Sequence, residues 1–134
     1  MREILFRGKT SDGEWVEGDL LQARYHSGHI EYQIMPQTPV SSAVPVLPET
    51  VGQYTGLTDR NGKRIFEGDI CKFKRFNDVH IGKVVFNVTT ASFIMWYQPI
   101  VGAYGEKATQ KMLLSVCDNI EVVGNIHDNP ELME

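Results

Sequence analysis

Short runs of β-branched and aromatic residues, cut by Gly, Asn or Pro, recur along this chain and set its expected architecture. Val84 and Phe86 alternate with Val85 and Asn87, and Phe93, Met95 and Tyr97 alternate with Ile94 and Trp96, which is the period of a strand. The pattern predicts strands over 20–25, 29–34, 70–76, 81–88, 92–97 and 120–126, with Ser27-Gly28 turning the first two into a hairpin. Apolar residues fall on both faces of several strands, which suits a small barrel or sandwich with one face partly covered by another lobe or another chain. Helical periodicity is weak. Residues 107–116 read as a short helix and Asn129-Pro130-Glu131-Leu132-Met133 as one terminal turn.

The chain also echoes itself. Gly8 matches Gly56, Asp12-Gly13 matches Asn61-Gly62, and Glu17-Gly18-Asp19-Leu20 matches Glu67-Gly68-Asp69-Ile70. Asp-Gly and Asn-Gly tolerate the positive φ of tight hairpins, so each copy reads as strand, turn, strand. Glu-Gly-Asp then predicts a kink or bulge in which Asp bonds nearby amides. Between the copies, Pro36, Pro39, Pro45 and Pro48 remove donors and favour an extended path. The expected layout is an N-terminal β lobe over 1–34, a Pro-rich connector over 35–50, and a β-barrel lobe with an acidic tail over 51–134.

At 134 residues, 42% apolar and 22% charged, the chain has the makeup of one ordinary domain or two very small ones. Its 13 Lys and Arg against 17 Asp and Glu give a net charge of −4, opposite to the basic bias of most nucleic-acid binders. A nucleic-acid surface must therefore be local, and the candidate is Arg60, Lys63, Arg64, Lys72, Lys74, Arg75 and Lys83. In Lys72-Phe73-Lys74-Arg75-Phe76, one strand face offers Lys72 and Lys74 to phosphates while the other is buried, and exposed rings add base stacking. The competing explanation is an edge strand whose lysines discourage sheet-to-sheet aggregation, with Phe73 in the core. Residues 118–134 hold Asp118, Glu121, Asp128, Glu131 and Glu134 and no Lys or Arg. That segment is expected either to dock on the basic strand of another copy, building a homo-oligomer, or to be a solvated end.

Chemistry-bearing patterns are sparse. Glu17, Asp19, Glu67 and Asp69 offer paired acids for acid–base work, yet their repetition in turn-like contexts favours a structural role. His26 and His29 flank a turn, and His80, His127, Cys71 and Cys117 are scattered, which is poor spacing for a metal site. No Gly-x-Ser-x-Gly elbow or phosphate-cradling loop is present, so no cofactor is expected. A small enzyme would have to use Glu or His from the loops around His26 and Tyr104. The two separated cysteines read as reduced thiols. The absence of a leader-like or membrane-spanning apolar run makes the cytoplasm the expected compartment.

Phe6-Arg7-Gly8-Lys9, Pro48-Glu49-Thr50-Val51-Gly52-Gln53-Tyr54-Thr55-Gly56-Leu57-Thr58-Asp59 and Asn61-Gly62-Lys63 leading to Glu67-Gly68-Asp69-Ile70 together resemble the YopX family of bacteriophage and prophage proteins. The ending, Ile120-Glu121-Val122-Val123-Gly124-Asn125-Ile126 followed by Asn129-Pro130-Glu131-Leu132, is similar too. The matching is lost over 23–46 and 98–109. The resemblance implies an all-β fold related to SH3-like barrels, a phage or prophage origin and life inside a bacterial cell. It carries no catalytic residues to these positions. The functional expectation is a non-catalytic binding or assembly protein that self-associates and engages a phage or host protein. Nucleic-acid binding through 60–83 and a small enzyme are the alternatives.

Overall fold

The computed structural model describes residues 1–38, 42–98 and 110–133. The protein is all-β, as the alternation predicts, with strands in two antiparallel sheets and, among the described residues, only short 3-10 turns for helix. The chain divides into two compact units, Met1–Gly56 and Leu57–Glu134.

In the first unit β1 (Phe6–Lys9), β2 (Trp15–Arg24), β3 (Ile30–Pro36), β4 (Val44–Pro45) and β5 (Gly52–Thr58) are ordered β4-β3-β2-β1-β5. The described part of the Pro-rich segment falls within the bounds of this unit. Non-proline amides just after β4 still donate: Val46 N–H bonds Tyr32 O and Leu47 N–H bonds Lys9 O. Thr50 Oγ1 accepts Lys9 N–H at 2.8 Å and donates to Leu47 O at 2.6 Å, which ties the 3-10 turn Pro48–Thr50 to β1. Leu5, Ile34, Val46 and Tyr54 are the buried apolar residues here. Pro39, Ser41, Tyr104 and Lys107 lie outside the described residues.

The hairpin signals give three turns of one kind. Thr10, Tyr25 and Asp59 each donate N–H to the carbonyl four residues on, and Gly13, Gly28 and Gly62 donate back across the turn. These three glycines have φ of +88°, +88° and +82°, the left-handed position of a three-residue hairpin loop. The Glu-Gly-Asp echo does not hold. Gly68 is a left-handed turn residue between β6 (Arg64–Phe66) and β7 (Asp69–Arg75), whereas Gly18 lies inside β2. A Cβ on Gly18 would stand 1.9 Å from Met35 O, so close strand approach, and not a kink, requires glycine there. Asp69 is buried and accepts Phe66 N–H at 2.7 Å, while Asp19 is exposed.

In the second unit β7, β8 (Asp78–Asn87), β9 (Ser92–Tyr97), β10 (Gln110–Leu113) and β11 (Asp118–Asn125) form a sheet ordered β10-β9-β8-β7-β11, and β6 continues the hairpin from the end of β5. Of the helix expected over 107–116, the described residues 110–116 instead form strand β10 and a 3-10 turn at Leu114–Val116, because residues 110–113 pair with β9 and tertiary pairing overrides weak helical periodicity. One face of the sheet carries the core: Cys71, Phe73, Val84, Met95, Tyr97 and Ile120, joined by Ile65 and Leu114. Phe73 meets Tyr97 edge-on at 5.1 Å, and His80 tilts against both rings. Ile70 and Ile94 are buried on the opposite face, so apolar groups on both faces are seen as expected.

Gly18→Ala should destabilise the protein by about 2–4 kcal/mol in urea unfolding, since backbone atoms must move to admit the methyl group. Gly28→Ala, with open space but positive φ, should cost only about 1 kcal/mol.

Candidate functional site

The alternation in β7 works as its sequence predicts: Lys72 and Lys74 are exposed and Phe73 is 1% exposed. The edge-strand explanation of the lysines fails, because β7 lies between β8 and β11. Lys72 stands opposite Ile81 on β8 and Glu121 on β11, and Lys74 opposite Val79 and Asp118. The acidic segment thus meets the basic strand within one chain, where opposite charges across a ladder favour pairing. Beyond β11, Asn125 Oδ1 accepts the N–H groups of His127 and Asp128, and the 3-10 turn Pro130–Met133, which buries no residue, lies beside β8; Glu134 lies outside the described residues.

Between Asp118 and Glu121 the register slips, so β11 carries an extra residue opposite Lys74 and Lys72. Asn119, in the bulge, has φ +50°, and Ile120 turns into the core. The hairpin loop at 59–63 closes on this point. Arg60 N–H donates to Ile120 O at 2.8 Å. Buried Asp59 accepts Asn61 N–H at 2.8 Å and Lys63 N–H at 2.9 Å on Oδ1, and Val122 N–H at 3.0 Å on Oδ2. Burial alone would push this carboxyl up. The amides of Val122, Lys63 and Asn61, with the Lys63 charge, outweigh it and hold the pKa below the ordinary aspartate value.

The result is a groove of about 160 Å³ lined by Arg60, Lys72, Phe73, Lys74, Val79, Asn119 and Glu121. Three of the seven predicted cations converge there. Lys63 ends the hairpin loop beside Asp59, and Arg64 lies on β6. Arg75 stacks over Phe76 at 4.2 Å, and Lys83 over Trp96 at 4.6 Å. Val79 and Asn119 were not among the sequence candidates, and Glu121 was read only as part of the acidic segment; the register that brings Asn119 and Glu121 in is long-range. Phe76 and Asn77 form the two-residue turn between β7 and β8, both with positive φ, and Phe76 is 80% exposed.

A family model described as YopX protein matches residues 5–134. The chain belongs to the YopX family. It is similar over 100% of its length, and over 100% of the other chain, to the crystal structure of protein EF1440 from Enterococcus faecalis, with 23% identity and a TM-score of 0.55, a likeness of fold alone. No curated protein matches.

The remaining candidates of this YopX protein stay apart. His26 and His29 are exposed at the β2–β3 turn, where His29 stacks on Tyr25. Cys71 is in the core of the second unit. Glu17 and Asp19 are exposed on β2, and Asp69 is committed to the turn before β7. Among the described residues no three His, Cys, Asp or Glu group as metal ligands, and no helix is long and apolar enough to cross a membrane. Burial, with Asp118 adding to it and Arg75 opposing it, pushes the Cys117 thiol up to about 11.

Asp59→Ala leaves three amides without their acceptor and should cost about 2–4 kcal/mol in urea unfolding. Since the folded pKa lies below the unfolded value of about 3.9, the unfolded chain takes up the proton first as pH falls. This contribution is therefore complete above the unfolded pKa and is lost through the lower folded one, and Asp59→Asn should flatten that part of the stability–pH curve. Cys117 should resist a thiol reagent at about pH 8 in the folded protein and react on unfolding.

Proposed function

We propose that this protein is a non-catalytic binding protein of phage or prophage origin, acting in the bacterial cytoplasm, whose partner meets the second sheet at the groove beside β7. The carrying observation is the convergence of Arg60, Lys72 and Lys74, drawn from separate segments by the Asp59 clamp and the β11 bulge. Bulges re-aim side chains and are frequent beside functional surfaces. Family membership supports the phage origin, and the lack of any catalytic spacing in the sequence supports a binding role. Self-association fits this reading through surfaces other than the acidic segment, because Asp118 and Glu121 already face Lys74 and Lys72 in cis.

Single-stranded nucleic acid is the second reading, favoured by Phe76, exposed at the turn with Arg75 over its ring, and by Lys83 over Trp96. The carboxylates opposite both groove lysines weigh against it. The test is quantitative capture from a bacterial host lysate with the wild-type protein and with Arg60→Glu/Lys72→Glu/Lys74→Glu, measuring bound protein and nucleic acid separately, with circular dichroism to verify folding. The proposal expects protein to dominate the wild-type capture and to fall at least about tenfold in the folded variant. An unchanged capture profile overturns it. Variant-sensitive capture of nucleic acid alone selects the second reading.

A further inference from the structure

The groove sets limits on what can enter it. Its roughly 160 Å³ is about half the lower bound of the ~300–1,000 Å³ typical of sites that enclose a whole small ligand. A single side chain matches that volume, whereas a nucleotide or cofactor would extend beyond it. Arg60, Lys72 and Lys74 against Glu121 leave a net charge of +2 among its lining residues, counted as three minus one. A polyanion laid across the face meets Asp118 and Glu121 beside the lysines it uses, whereas one carboxylate needs only the three cations. Val79 lines the same groove, and Ile81, two residues on and 42% exposed, continues the apolar surface next to it.

We infer that the groove receives an acidic side chain from an extended segment of a partner protein in which acidic and aliphatic residues alternate. The carboxylate docks among Arg60, Lys72 and Lys74, and the aliphatic neighbour covers Val79 and Ile81. Both signs of charge and the apolar strip are then matched by one short stretch of chain, the pattern by which interfaces gain specificity. This inference rests on the reading of the β7 face as the binding surface and adds the chemistry of its partner.

The experiment is fluorescence anisotropy with the full chain and three labelled probes: a short peptide alternating glutamate and leucine, its glutamine counterpart, and oligothymidylate. Each is titrated at low and near-physiological salt. The glutamate peptide should bind at least about tenfold more tightly than the glutamine peptide and more tightly than oligothymidylate. Lys72→Gln and Lys74→Gln should each weaken it about five- to tenfold, while Arg24→Gln on the first sheet leaves it unchanged. Circular dichroism confirms that each variant is folded. Oligothymidylate binding more tightly and losing affinity in the same lysine variants would overturn the acidic-segment inference while upholding the surface. Equal affinity for the two peptides, no binding of the glutamate peptide, or an equal loss in Arg24→Gln also overturns the inference. In those cases the lysate capture decides the surface separately.

Discussion

One buried carboxylate organises the second unit around β11. Asp59 shares its oxygens among amides from its own turn and one from Val122, sixty-three residues away in sequence. A buried acceptor with charge-assisted bonds to backbone is stronger than a neutral hydrogen bond, and losing it strands several donors at once. The consequence reaches beyond stability. With Asp59 fixed on Val122, Arg60 N–H must meet Ile120 O, which places the Arg60 side chain beside a strand that is otherwise acidic on its exposed face. The bulge at Asn119 belongs to the same arrangement. It turns Ile120 inward to the core while the flanking positions stay opposite Lys72 and Lys74.

The two copies of the internal echo show where local chemistry ends and tertiary structure begins. Thr10 and Asp59 open equivalent turns, and each side chain accepts the N–H four residues on, Glu14 in one case and Lys63 in the other. Only Asp59 has a second oxygen to offer, and with it the hairpin reaches another strand. Farther along, Gly18 and Gly68 stand in matching sequence but opposite circumstances, one pressed against Met35 O and the other left-handed in a turn. The sequence Glu-Gly-Asp therefore specifies that no Cβ fits, and its surroundings decide why.

This sets how much could be read from the residues alone. Hairpins at Asp12-Gly13, Ser27-Gly28 and Asn61-Gly62 were legible because a left-handed glycine is a local requirement, and the exposed lysines around buried Phe73 were legible from alternation. Strand order was not. Nothing local says that residues 118–125 return beside β7, so the strand read as a possible edge is an interior one, and its charge partners come from the segment read as a tail. The helix read at 107–116 failed for the same reason, since pairing with β9 outranks a weak period. Asp59 went unread: side-chain bonding to nearby amides was assigned to Asp19 and Asp69, and the bond from Val122 to Asp59 spans sixty-three residues.

Charge counted along a window also misstates the field it produces. Of the cations between 60 and 83, Lys63 helps hold Asp59 ionised, Arg64 lies on β6 outside the groove lining, Arg75 lies on the Phe76 ring and Lys83 on Trp96, which leaves Arg60, Lys72 and Lys74 to shape the groove. With Asp118 and Glu121 opposite two of these, the attraction is short-ranged, and at physiological salt it decays over about 8 Å. On the proposed reading, such a surface would select its partner by close fit and not by long-range steering. Phe76 completes that logic from the end of the same ladder. A bulky residue at φ +50° costs about 1–2 kcal/mol relative to the Gly or Asn that this turn favours, and its ring gains little burial in return at 80% exposure. The chain holds an exposed aromatic ring, with Arg75 over it, two residues beyond Lys74, where the partner proposed for the groove would also cover the ring.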